Sequence, residues 1–225
     1  MAWQFNGLRM FGYNLIVSDC PHDFENYSDA GTLKGADPHY PVMSLEEIQD
    51  LRVGELARGD CLLLYWGSGC MLPQHIETIA KWGFTFKSEM IWRKVTDNGK
   101  VRMRTGYRVR TMHEPILVAT IGNPKHKAFP SIFDGVAREH SRKPEEFYSL
   151  INEHCPDLHL RADLFSALQG RDGWEEWGDP RKKPLRGFED GTAIEATAPA
   201  LAEKGNKPIP NGEGSISGLH CRRLL

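Results

Sequence analysis

Apolar residues along the chain fall into two patterns. The first is the short continuous run: "YNLIVSD" (Tyr13 to Asp19) and "DCLLLYWG" (Asp60 to Gly67) have strand length and almost no polar interruption, as in strands covered on both faces. "FTFKSEMIWRK" (84–94), "EPILVATIG" (114–122) and "LHLRADLFSA" (158–167) supply three more strands. The second pattern has helical spacing. "MSLEEIQDL" predicts a helix with Ser44 as N-cap and Glu47 three residues later, the spacing of a capping box. "MLPQHIETIAKWG" predicts another, with Leu72, Ile76, Ile79 and Ala80 on one face and Gly83 as its stop. "RKPEEFYSLINEHCP" predicts a third, with Pro144 in its first turn and Phe147, Leu150 and Ile151 inward.

Strands alternating with amphipathic helices predict an α/β fold, a mostly parallel sheet with helices on both faces. Ligands of such sheets sit beyond the carboxyl ends of the strands, and Asp19 stands at one such end. After about Arg181 the pattern stops: the rest is rich in Gly, Pro, Ala and charge without an apolar period. Residues 1–180 are therefore read as the folded domain and 181–225 as a flexible or loosely docked tail.

Composition narrows the chemistry. The 225 residues are 40% hydrophobic and 26% charged, as in an ordinary globular protein. The five cysteines, Cys20, Cys61, Cys70, Cys155 and Cys221, include no C-x-x-C. That argues against a disulfide framework and a zinc site, and fits a reducing cytoplasm. There is no signal-like leader and no run of roughly 18 apolar residues to span a membrane. No G-x-G-x-x-G, Walker A or G-x-S-x-G run is present, which removes the usual phosphate cradles and the hydrolase elbow.

The net charge of −2 is uninformative, but its distribution is not. "RKVTDNGKVRMRTGYRVR" (93–110) carries seven basic residues and one acid around Tyr107. Arg104, Tyr107, Arg108 and Arg110 suit phosphate contact and base stacking; a solvated hairpin is the equal alternative. "REHSRKPEEFY" (138–148) puts Ser141, Arg142 and Lys143 just before a helix N-terminus, where amides and cations suit a hydroxyl, carboxylate or phosphate. The two tryptophans of "FSALQGRDGWEEWGDP" (165–180) read as core packing in a loop.

Taken in order, "SDCPHDF", "HYPVMSLEEI", "LYWGSGCMLPQHIETIAKWGF", "IWRK", "GYRVRTMHEPILVATIG", "REHSRKPEEFY" and "DLFSALQGRDGWEEWGD" resemble the MT-A seventy-kilodalton-subunit family, in its short bacterial and phage form. These are S-adenosylmethionine-dependent adenine-N6 methyltransferases with a Rossmann-like fold. The resemblance runs from about Tyr13 to Asp179. It makes Asp19, Cys20, Pro21 and His22 the catalytic tetrad, where the family has Asp-Pro-Pro-aromatic. It implies that Asp19 and the Cys20 carbonyl accept the two amine N–H groups of adenine. It implies that His22 stacks on the base, with Phe24 in support.

The same resemblance implies that Lys143, Phe165, Asp179 and Pro21 contact the cofactor. Tyr40, Glu114, Ser141 and Arg142 would line the acceptor pocket. Ser166 and Ala167 stand where the family often has Arg or Gly-Arg, and Asp179 where it has Asn. The expected partner is DNA, with RNA second, since no RNA-binding accessory domain is evident; a homodimer or a partner subunit stays open. Two other readings also stay open: a non-catalytic nucleic-acid-binding subunit of the same fold, and a methyltransferase whose acceptor differs because the tetrad reads Asp-Cys-Pro-His.

Overall fold

Side chains of a strand alternate between faces, and here both faces of the central strands are apolar. In the computed structural model, which describes residues 3–22, 42–103, 108–138, 142–166 and 170–178, they build a core on each side of one sheet. The strands are β1 (Tyr13–Ser18), β2 (Ala57–Trp66), β3 (Thr85–Val95), β4 (His113–Ile121), β5 (Ile132–Val136), β6 (Arg161–Leu164) and β7 (Trp174–Trp177). Their order across the sheet is β5-β3-β4-β2-β1-β6-β7. Every pairing is parallel except the two made by β4. Six strands therefore finish at one edge, and β4 begins there.

The helices are α1 (Leu45–Gln49), α2 (Leu72–Lys81) and α3 (Glu145–His154). On one face Ile16, Leu63 and Tyr65 pack with Ile48, Ile79 and Trp82 from α1, α2 and the turn after α2. On the other, Leu15, Val17, Leu62, Leu64 and Trp66 meet Phe147, Tyr148 and Ile151 of α3. Among the described residues no helix is long and apolar enough to cross a membrane.

The Ser44 hydroxyl accepts from the Glu47 amide and the Glu47 carboxylate accepts from the Ser44 amide, so the predicted capping box is present. Helix α2 differs from its apolar pattern: it buries His75, Thr78 and Ile79, while Ile76 is 40% exposed. The polar pair goes inside because each finds partners there. Thr78 Oγ1 donates to the Gln74 carbonyl at 2.8 Å, and His75 Nε2 accepts the Ser68 amide at 3.0 Å. Two strands have no counterpart in the apolar pattern, β5 and β7. Both are short edge strands, with one neighbour each, and carry polar residues. Trp177 of β7 is buried as core, whereas Trp174 is half-buried.

Cys20, Cys61 and Cys155 are free and buried. The tail from residue 181 lies outside the described residues.

Gly54 sits in the 3-10 turn Val53–Leu56, where a Cβ would stand 2.3 Å from the Trp82 carbonyl oxygen. Backbone cannot yield as a flexible side chain can. Gly54→Ala should therefore cost about 1–3 kcal/mol, read as a lower urea midpoint at unchanged slope.

Candidate active site

The tetrad begins where β1 ends, and alternation decides which way each residue faces. Leu15 and Val17 point to the α3 side, so Asp19 continues that row beyond the strand. Trp66, one step past the Ser18–Tyr65 pair, follows Leu62 and Leu64 on the same side. Trp92 and Lys94 of β3 also share this side, with Glu114 paired opposite Trp92. From β6, Asp163 lies in register with Val17. One edge of one face thus collects three carboxylates, a lysine and two indoles.

A second cation comes from the chain just before α3. Lys143 is 4% exposed, with its ammonium 3.2 Å from Asp163 Oδ1 and 3.8 Å from Asp19 Oδ2. Tyr148 of α3 donates to the other Asp163 oxygen at 2.7 Å, and the Arg171 guanidinium lies 3.7 Å over the Tyr148 ring. Burial opposes the Lys143 charge, but Asp163 and then Asp19 outweigh it, and its pKa stands above the ordinary lysine value. Lys94 pairs with Glu114. Counting formal charges, Lys94–Glu114 is neutral and Asp19–Lys143–Asp163 carries one negative charge, so the cluster favours a cationic ligand.

Asp19 keeps 30% of its side chain exposed at the rim of this cluster. Desolvation pushes its carboxyl up to about 6, with Lys143 pulling down and Glu114 and Asp163 adding to the rise. At neutral pH it is an ionised acceptor with more proton affinity than a surface aspartate. The Asp19 amide donates to the Leu164 carbonyl at 3.3 Å, fixing the group to the end of β6.

The next residues turn to the opposite face. Cys20 joins the core beside Tyr65, and burial pushes its thiol up to about 12. Its carbonyl accepts the His22 amide at 2.9 Å and keeps a second lone pair. The Pro21 carbonyl accepts the Met43 amide at 2.8 Å. His22 is 5% exposed: Nε2 bonds the Tyr65 hydroxyl at 2.8 Å and the ring lies 4.7 Å from that of His75. The ring expected to stack on a base is turned inward instead, because Tyr65 offers it a buried hydrogen-bond partner. It anchors the tetrad backbone. Phe24, its expected support, lies outside the described residues.

Phe165 does stand at the strand end. It has a φ of +60° and packs edge-on against Trp177, and its amide donates to the Trp177 carbonyl at 2.6 Å. Ser166 is buried beside it in sequence. Arg142 lies 3.8 Å from Glu145 at the start of α3. Arg93 and Lys94, counted with the basic run, belong to β3 and are engaged: Arg93 pairs bidentately with Asp134 at 2.6 Å. Arg108 and Arg110 are exposed. Tyr40, Arg104, Tyr107, Ser141 and Asp179 lie outside the described residues.

Sequence reasoning missed Asp163, Tyr148 and Trp66. The acid of "RADLF" inside an apolar strand was the available signal for Asp163, since a buried acid needs a buried partner. Nothing local marks Tyr148 or Trp66, whose indole N–H is buried with no hydrogen-bond partner among the described residues.

The sequence is also similar to known proteins. The MT-A70 family model matches residues 13–180. A Mycoplasma sp protein named Type II methyltransferase M.MunI is 25% identical over 178 residues, 78% of this chain and 72% of that relative. An Arabidopsis thaliana protein named N(6)-adenosine-methyltransferase MT-A70-like is 28% identical over 183 residues, covering 79% of this chain and 25% of the relative. An Oryza sativa subsp. japonica protein named Probable N(6)-adenosine-methyltransferase MT-A70-like is 26% identical over 172 residues, 74% of this chain and 23% of the relative. The chain thus spans only about a quarter of the plant relatives it matches.

The imidazole pair yields a stability prediction. Burial holds His22 down to about 4, and burial with His22 nearby holds His75 down to about 3. Unfolded imidazoles take protons from about pH 6.5 downward, so the fold loses stability as pH falls from there through about 4 and 3. His75→Gln keeps an acceptor for the Ser68 amide and removes one such group. Its urea midpoint should fall less steeply than that of the parent between pH 7 and 4; parallel curves would refute the assignment.

Proposed function

The chain belongs to the MT-A70 family, and from that premise we propose that it transfers a methyl group from S-adenosylmethionine to the N6 of adenine in DNA. The observation that carries this reading is Asp19: an ionised carboxylate at the end of β1, 30% exposed, 3.8 Å from a buried ammonium and next in sequence to a carbonyl with a free lone pair. Of the relatives named above, the one the chain spans most fully is called a Type II methyltransferase. Names in adenosine make RNA the necessary control.

The residues present fit the donor. Two carboxylates around one ammonium leave net negative charge for a sulfonium, and the Trp66 indole N–H is an unused buried donor on the same face. Lys143, Pro21, Phe165 and Asp179 are the residues that would hold it. When bound, S-adenosylmethionine supplies an electrophilic methyl group. Lys143, neutralised in part by Asp163, keeps Asp19 ionised and oriented.

An aromatic amine is a poor nucleophile because its lone pair is delocalised into the ring. Asp19 accepts one amine N–H and the second lone pair of the Cys20 carbonyl accepts the other. Holding both hydrogens draws the nitrogen toward tetrahedral geometry and stabilises positive charge as it develops there. Positioning contributes on the order of 7–11 kcal/mol, and an aimed acceptor roughly 3 kcal/mol more. Asp19 then takes the proton that methylation makes acidic, a task suited to a carboxylate whose pKa is about 6. Glu114 and Arg142 complete the described acceptor side, with Tyr40 and Ser141 as the further members that the family pattern implies.

The Asp-Cys-Pro-His tetrad keeps the two acceptors that an adenine amine needs, the Asp19 carboxylate and the Cys20 carbonyl. Cys20 enters through its carbonyl, and the Cys20 and His22 side chains pack on the far face of the sheet. A retained Asp19 at the rim of the cluster, part of its side chain open, also favours an enzyme over a non-catalytic subunit.

Labelled S-adenosylmethionine should transfer methyl to adenine in DNA, with RNA giving a lower rate. Asp19→Asn should lower kcat by about 100- to 1,000-fold, well beyond the weakening of donor binding that loss of one carboxylate brings in calorimetry; equal loss of both would refute the acceptor role. The parent rate should rise with pH through about 6 and then level, since only ionised Asp19 accepts. A flat profile from pH 5 to 8 would contradict the assignment.

A further inference from the structure

Arg171 stands outside the ion cluster, in the stretch that enters β7, yet it is tied to the helix that covers the cluster. Its guanidinium donates to Glu145 Oε2 at 2.8 Å and lies 3.7 Å over the Tyr148 ring. Residues three apart share one face of a helix, so one guanidinium reaches both from the start of α3. Its own backbone is held from β7: the Glu176 carboxylate accepts the Gly170 amide at 2.6 Å and the Arg171 amide at 3.4 Å. Trp174 meets the Tyr148 ring edge-on at 5.5 Å. Tyr148, 4% exposed, is thus fixed by a cation on its face and an indole beside it.

What Tyr148 holds is Asp163, whose two oxygens are divided between donors. Oδ2 accepts the Tyr148 hydroxyl at 2.7 Å and Oδ1 accepts the Lys143 ammonium at 3.2 Å. The same ammonium lies 3.8 Å from Asp19 Oδ2, so two carboxylates share it. A buried carboxylate oxygen stripped of its donor is costly, and the ammonium already beside Asp163 is the group that can move to it. Removing the hydroxyl therefore draws Lys143 toward Asp163 and away from Asp19. A cation over an aromatic face is attracted to it and makes the phenol a stronger donor, so Arg171 supports the same division from outside.

We propose that Tyr148 and Arg171 are positioning residues for Asp19: the Tyr148 hydroxyl occupies one oxygen of Asp163 so that Lys143 stays shared with Asp19, and Arg171 holds the ring that carries the hydroxyl. Both act through Asp163 and Lys143. The inference rests on the acceptor role given to Asp19 above and adds what sets its charge. The titratable groups that act on Asp19 are Lys143 ahead of α3, Tyr148 of α3, Glu114 of β4, Asp163 of β6 and Lys94 of β3, with Cys20 and Tyr65 from the other face. Lys94 is paired with Glu114, so Lys143 is the cation whose place the Tyr148–Asp163 bond adjusts. A carboxylate that loses a neighbouring cation keeps its proton to higher pH.

The test compares pH–rate profiles of the parent, Tyr148→Phe (which keeps the ring), Arg171→Gln, Arg171→Lys and the Tyr148→Phe, Arg171→Gln pair. Tyr148→Phe should move the acid limb of transfer up by about half a pH unit, roughly a threefold loss of rate on the acid side, with little loss on the alkaline plateau. Arg171→Gln should move the limb the same way by less, and Arg171→Lys should return it toward the parent. The double variant should match Tyr148→Phe alone, because Arg171 acts through the hydroxyl. Carbon-13 titration of the Asp19 carboxyl in donor-free protein, assigned with Asp19→Asn, gives a readout without methyl transfer. Its midpoint, about 6 in the parent, should rise in Tyr148→Phe. A titration that stays put or falls, a rate loss equal at every pH, or additive shifts in the double variant would each overturn the proposal. A lower urea midpoint with an unmoved limb would do so too, leaving the hydroxyl a structural role only. If the parent methylates no adenine substrate while its Asp19 titration responds to Tyr148→Phe, the function proposed above falls and the positioning role stands.

Discussion

The site depends on one buried ammonium held between two carboxylates. Lys143 precedes α3, Asp163 lies in β6 and Asp19 follows β1, so the ion cluster joins three separate stretches of chain. Burying charge is expensive, and removing one member of such a pair leaves the other uncompensated. Tyr148 adds a hydrogen bond to Asp163 from within α3, which ties the helix to the charge it covers. The electrostatics that keep Asp19 ionised are thus also part of what fixes α3 on the sheet.

The sheet edge separates two tasks by alternation. The α3 face holds Asp19, Lys143, Asp163, Trp66 and the Lys94–Glu114 pair. The α2 face holds Cys20, His22, Tyr65 and His75, uncharged and packed. The turn that carries the tetrad carbonyls is anchored by side chains packed into this core. Cys20 and His22 fit this turn because both side chains face a core, and Tyr65 receives the imidazole. The two histidines make that anchoring conditional on their staying neutral.

Much of this was legible in the sequence because it is periodic or punctuated. The five interior strands, the capping box at Ser44 and the carboxyl-end position of Asp19 follow from local pattern. The edge strands β5 and β7 did not, since an edge strand with polar residues lacks the apolar run that betrays a buried one. Ile76 looked like core by spacing and is exposed, while His75 and Thr78 are buried, because their side-chain hydrogen bonds to Ser68 and Gln74 overrode the apolar pattern. Asp19 was found from its place at a strand end and from the family pattern. Its partnership with Asp163 across β1 and β6 depends on strand register, which no local pattern contains. Arg93 and Lys94 read as part of a basic loop until Asp134 and Glu114 came alongside them.

The central claim is that Lys143 serves Asp19, and the most direct measurement is the pH–rate profile of Lys143→Met at saturating methyl donor, with folding checked by circular dichroism. Without the ammonium, desolvation and the neighbouring acids should hold the carboxyl at a higher pKa, so the acid limb of transfer should move up in pH while the plateau persists at alkaline pH. A variant that stays folded and loses rate equally at every pH, its acid limb unmoved, would contradict the account.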